Sequence, residues 1–96
     1  MYDLHFADTF SSTYKSLIKG VLEFEKRTAK ALRLLKNDPF YPSLNSHKVN
    51  TKHFGEKWSS WITGDLRIIW DFDQEEIQII MVFVITKHSG SHREYK

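Results

Sequence analysis

Cysteine is absent from this chain, so it can form neither a disulfide framework nor a thiolate metal site, and a reducing compartment is compatible with it. Proline and glycine are scarce, two and four in 96 residues, and no repeat or low-complexity stretch appears. No apolar run reaches the roughly 18 residues of a membrane span. The opening MYDLHFADTF lacks the basic start and apolar run of a signal peptide. Charge is nearly balanced, with 14 Lys+Arg against 12 Asp+Glu and a formal net charge of +2. That permits an anionic partner without requiring one. These absences predict a cytoplasmic protein.

What is present is apolar bulk. Hydrophobic residues make up 41% and aromatics 15%, including seven Phe, four Tyr and three Trp. That suffices for one core in one small domain spanning residues 1–96, and it argues against disorder. Charge is unevenly spread. Lys48, Lys52, Lys57 and Arg67, with His47 and His53, precede an acidic group of Asp71, Asp73, Glu75 and Glu76. The expectation is a basic region well separated from an acidic tip.

Alternation over residues 2–6 predicts a short first strand with Tyr2, Leu4 and Phe6 on one face. A helix is expected from about Phe10 to Ile18, and Gly20 breaks it from a second, about Leu22 to Lys36. In the second, Val21, Phe24, Thr28, Ala31 and Leu35 form an apolar stripe, opposite Lys19, Lys26, Lys30 and Arg33. That basic side reads first as a solvated face, and alternatively as a contact for an acidic partner or RNA phosphates. Residues 39–55 read as a long connection. Strands are then expected at Lys57–Ile62, Leu66–Phe72 and Ile77–Ile85, joined by turns at Thr63-Gly64-Asp65 and at Asp73–Glu76. The last strand is apolar on both faces, which predicts a central position or cover on both sides. The fold class is α+β: a short N-terminal strand, two helices, then an antiparallel β-meander, with the helices on one face of the sheet.

Arg67, His88, His92 and Tyr95 can hold a phosphate and move a proton. Arg67 reads first as a phosphate holder and alternatively as a partner in an ion pair with Asp65 or Asp71, and the guanidinium fork suits either use. A histidine's unperturbed pKa of about 6.5 suits proton transfer near neutrality, so His88 is a candidate acid or base, or else an ordinary loop histidine. If Phe72 pairs with Ile77, Arg67 pairs with Val82, roughly 20 Å from His88 along a straight strand. The two would then share a site only if the chain bends near Thr86-Lys87. His47 and His53 stand six apart, His88 and His92 four apart. The second spacing suits zinc only on a helix, which Gly90 opposes, so no metal site is expected. Trp58, Trp61 and Trp70 could stack on bases or pack a core; the core is the expectation for Trp58 and Trp70.

Several short motifs fall in a familiar order: DPFYPSL at 38–44, His47-Lys48-Val49, Trp58-Ser59-Ser60, GDLRIIW at 64–70, HSGS at 88–91 and Tyr95. Together they resemble the RelE/ParE superfamily of toxins from bacterial toxin–antitoxin pairs, nearest to RelE- and YafQ-type mRNA interferases. The resemblance covers essentially the whole chain and implies the RelE-like fold. It further implies a cytoplasmic toxin neutralised by a cognate antitoxin, cutting mRNA in the ribosomal decoding site. The reaction it implies needs no metal or small-molecule cofactor: the ribose 2′-OH attacks the adjacent phosphate, which restricts the substrate to RNA.

By the same resemblance Arg67 holds the phosphate, His88 is catalytic, and Tyr95 stacks on a base or assists proton transfer. His47, Lys48, Lys52, His53, Trp61, Asp65, Lys87, His92 and Arg93 are further candidates for catalysis or RNA contact. The sequence departs from the RelE branch on the strand before Arg67. That strand reads Trp58-Ser59-Ser60-Trp61 where lysines are usual, and Trp61 stands where a basic residue is frequent. A ParE-like inhibitor of DNA gyrase, or a binding-only member of the fold, are the alternatives.

Overall fold

Gly20 adopts a φ of 92°, which side chains other than glycine's rarely accept, and the chain turns there between two helices. The computed structural model describes residues 1–75 and 79–87 of the chain. Strand β1 (Asp3–Phe6) leads into α1 (Asp8–Leu17) and α2 (Leu22–Asn37). A short 3-10 turn (Pro42–Leu44) follows, then β2 (His47–Thr51), β3 (Gly55–Trp61), β4 (Leu66–Phe72) and β5 (Ile79–Lys87). The helices fall within a residue or two of expectation. The segment expected as a connection instead contains β2, a strand of mixed polar residues that pairs antiparallel with β3.

The sheet has five strands in the order β1-β5-β4-β3-β2. The meander from β2 to β5 is antiparallel, and β1 joins β5 in parallel. Strand β5 is therefore central, as its two apolar faces require. The class is α+β, as expected.

One face of the sheet meets the helices. Leu66, Ile68 and Trp70 of β4 and Ile80, Val82 and Ile85 of β5 form one core with Phe10, Ile18, Ala31, Leu35 and Leu44. Burying each such aliphatic side chain contributes about 1.5–3 kcal/mol relative to exposure. Trp70 stacks on Trp58 at 5.8 Å between centroids, and Phe40 packs edge-on against Trp58. The core expectation for these two tryptophans holds. Tyr2 and Leu4 pack against this core, whereas Phe6 is largely exposed and lies on Phe10.

Helix α1 also closes an edge of β5. Beyond Phe6 the parallel partner strand ends, and two threonines take over its hydrogen bonds. The Thr9 hydroxyl donates to Phe83 O, and Ile85 N donates to Thr13 Oγ1. Backbone groups that would stand unpaired are thus satisfied by side chains one helical turn apart.

The register of β4 on β5 differs from expectation. Phe72 pairs with Ile80 and Arg67 with Thr86, with a register shift between Ile69 and Trp70. Each residue of β4 thus meets a later residue of β5 than expected. A second correction concerns charge. Pairing of Trp58 with Trp70 brings Lys57 beside Asp71, and their side chains meet at 3.5 Å. Asp71, one of the acidic group, therefore lies against the basic segment rather than apart from it.

Candidate functional site

Strand parity sorts the polar residues of β2 to β5 between the two faces. Trp58, Ser60, Ile68 and Trp70 face the helices. Ser59, Trp61, Arg67 and Ile69 alternate with them and face the other way. His47 pairs with Ser59, Ser59 with Ile69, Trp61 with Arg67, and Arg67 with Thr86. His47, Ser59, Trp61, Arg67 and Thr86 thereby share the face without helices.

Arg67 is the fixed cation of this face. It is 5% exposed, although it is an arginine in a small domain. Its Nη1 donates to Thr63 O at 2.8 Å and Gly64 O at 2.7 Å. Those carbonyls point inward because the turn is pinned from within: Thr63 Oγ1 accepts from Asp65 N and Leu66 N. The Trp61 indole lies against the guanidinium, with Cζ 4.8 Å from the ring centroid. Cation–π contact and carbonyl bonds together hold the plane of the fork. Asp71, one expected partner for Arg67, is engaged by Lys57 instead.

His47 stands at the edge of the same face, exposed. Its Nδ1 lies 2.9 Å from Asn45 O. A carbonyl can only accept, so Nδ1 carries the hydrogen in that contact. In the neutral ring Nε2 is then the free base. Two strand spacings and two residues separate His47 from Arg67, about 12 Å between backbones. Between them Ser59 Oγ is buried with no hydrogen-bond partner among the described residues.

The structure separates other candidates from Arg67. Lys52 and His53 are in the β2–β3 turn at the far end of β3, roughly 20 Å from Arg67 along the strands. Lys48 turns to the opposite face, its Nζ 5.0 Å from the centroid of Trp58. Lys87 pairs with Leu66 at the end of β5 and borders a cleft on the helix side with Asp65. His88, His92, Arg93 and Tyr95 lie outside the described residues.

The register removes the geometric conflict expected between Arg67 and His88. Arg67 lies across from Thr86, only two residues before His88 in sequence. The lysine-poor stretch before Arg67 also resolves into two parts. Ser60 belongs to the core: its hydroxyl accepts from Trp70 Nε1 at 2.7 Å and bonds Ser46 Oγ at 2.6 Å. Only Ser59 and Trp61 face the site. No group of three His, Cys, Asp or Glu residues able to hold a metal occurs among the described residues. Nor is any described helix long and apolar enough to cross a membrane.

A comparison with protein-family models finds no match, and neither does a comparison with curated protein sequences. Solved structures do match. The YoeB/ParE toxin from Agrobacterium tumefaciens superimposes with a TM-score of 0.71 at 16% identity, covering 90% of this chain and 98% of that one. The YoeB–YefM complex from Staphylococcus aureus gives a TM-score of 0.68 at 13% identity, covering 92% and 98%. YafQ from E. coli strain BL21(DE3) gives 0.65 at 12% identity, covering 94% and 97%. The chain has the α+β fold of the YoeB, YafQ and related toxins over nearly its whole described length.

Proposed function

We propose that this chain is the toxin of a type II toxin–antitoxin pair and acts as a ribosome-dependent mRNA endoribonuclease. The observation that carries the reading is one sheet face holding a buried, oriented guanidinium at Arg67 and an edge imidazole at His47 with Nε2 as its free base. A transesterification at RNA asks for that pair. His47 Nε2 takes the proton of the ribose 2′-OH, whose oxygen attacks the adjacent phosphorus. The P–O5′ bond breaks, leaving a cyclic phosphate and a 5′-OH. Arg67 offsets the charge that builds on the phosphate oxygens. His88 returns a proton to the leaving oxygen, and two residues of chain reach up to about 7 Å from Thr86. Tyr95 stacks on a base or assists that transfer. None of these steps asks for a metal, and DNA is not a substrate because it lacks the attacking hydroxyl.

The toxin fold supports a cognate antitoxin as partner, since one structure sharing it is a complex of two proteins, YoeB and YefM. Mapping of mRNA 5′ ends on translating ribosomes tests the whole reading, with Arg67→Ala, His47→Ala and His88→Ala beside wild type. New ends that disappear in the variants support it. Ends that persist in all three, or none with wild type, sink it. Gyrase-linked DNA breaks would redirect the assignment to an inhibitor of that enzyme.

A further inference from the structure

Trp61 has more exposed surface than its partnership with Arg67 explains. One side of its indole carries the guanidinium, yet the residue remains 39% exposed, on an otherwise well-buried part of β3. Burying a tryptophan is among the larger stabilising terms open to a small domain, so an indole left half in water invites an explanation. Trp61 also borders a second feature. On the helix side, a cleft of about 310 Å³ opens between α2, the 3-10 turn and the end of β3, lined by Arg27, Lys30, Ser43, Leu44, Trp61 and Ile62, and it reaches Trp61 at the β3 edge that the β2 ladder leaves uncovered beyond the His47–Ser59 pair. Its rim is cationic on the α2 side and its floor is aliphatic. Among the described residues Arg27 is paired with Glu23, an exposed ion pair one helical turn apart that contributes little.

We infer that Trp61 is a base-stacking residue, and that the cleft beside it is the subsite of the nucleotide next to the scissile phosphate. This rests on the nuclease reading and adds a substrate contact to it. The indole, held by Arg67, forms a rigid platform for a nucleobase, and stacking needs no hydrogen-bond pattern because every base has a π-face. Arg27 and Lys30 across the cleft meet the next phosphate.

The experiment compares wild type, Trp61→Leu, Trp61→Phe and Arg27→Gln/Lys30→Gln on ribosomes programmed with mRNA that carries an abasic ribose beside the cut. Trp61→Leu should raise KM about tenfold or more, as loss of one stacked base does. Trp61→Phe should retain most of the affinity. The abasic mRNA should cost wild type a similar factor and cost Trp61→Leu nothing further. The Arg27/Lys30 variant should raise KM with steeper loss at high salt. Independent, multiplying losses from Trp61→Leu and the abasic ribose would overturn the inference. So would a fall in kcat at constant KM, which marks a residue that only holds Arg67. Should wild type leave mRNA uncut, the nuclease reading fails, and binding of a 2′-O-methyl oligoribonucleotide decides the stacking claim. Equal affinity for wild type and Trp61→Leu would end it; a loss of about tenfold that Trp61→Phe restores would uphold it.

Discussion

Ser59 and Ser60 are neighbours in β3, yet their hydroxyls meet opposite fates on opposite faces of the sheet. Ser60 Oγ accepts from Trp70 Nε1 and donates to Ser46 Oγ, which donates in turn to Pro39 O at 2.6 Å. Ser59 Oγ is buried with no hydrogen-bond partner among the described residues. Removing Ser60 Oγ strands a buried indole N–H, so Ser60→Ala should lower stability by about 1–3 kcal/mol. Ser59→Ala removes an unsatisfied group and should be neutral or stabilising. Urea unfolding of the two variants side by side checks both signs.

Arg67 should not tolerate lysine. A single ammonium cannot reproduce the bonds to both Thr63 O and Gly64 O together with the planar guanidinium's contact with the Trp61 ring. Arg67→Lys is expected to lose about 100-fold or more of the cleavage rate, close to Arg67→Ala. Single-turnover cleavage on programmed ribosomes measures it. Near-wild-type activity in the lysine variant would show that charge alone suffices.

His47 is exposed, so its replacement tests chemistry with little effect on the fold. His47→Gln keeps a donor and an acceptor but loses the base. Cleavage should fall roughly 10²- to 10⁴-fold, as for loss of a general base, while the unfolding midpoint stays in place. An unchanged rate would move the base elsewhere on the face.

The α1–β5 contact makes a prediction about stability alone. Thr13→Val preserves shape but removes the acceptor for Ile85 N, which lies 2.9 Å away. Leaving that amide unpaired should cost about 1–3 kcal/mol, whereas Thr13→Ser should retain most of the stability. Amide hydrogen exchange at Ile85 should quicken in the valine variant before the rest of the sheet responds.

The helices and the central strand were legible because their signals are local. The stripe Phe24, Thr28, Ala31, Leu35 repeats at the helical period, and the alternating apolar faces of β5 have one physical solution. Register was not legible. The assumed pairing of Phe72 with Ile77 misses the observed Ile80 by three residues, and at Arg67 the error grows to four, Val82 against Thr86. The added residue is the irregularity between Ile69 and Trp70, where Phe83 is left without a paired partner on β4. Such an irregularity and the length of a turn are set by tertiary packing, not by composition. Strand β2 escaped notice because HKVNT has few strand-forming side chains and owes its conformation to β3. At the site, Arg67 stood out as a charge inside an apolar strand. Its contact with Trp61 depends on cross-strand pairing, which no local pattern encodes. The same pairing brings His47 in and leaves Lys52 and His53 out.

The place of β5 between β1 and β4 sets when this protein can exist as a folded object. The last of the described strands supplies Ile80, Val82 and Ile85 to the core and the hydrogen-bonding edge that β1 needs. During synthesis, the first 75 residues emerge with their apolar faces uncovered and with β1 lacking its partner. Folding then waits on a pairing between segments more than 70 residues apart, the kind of long-range closure that is slow. A nascent chain that ends before β5 therefore lacks a large part of this core, and the pairing of Arg67 with Thr86 forms only after that strand has been made.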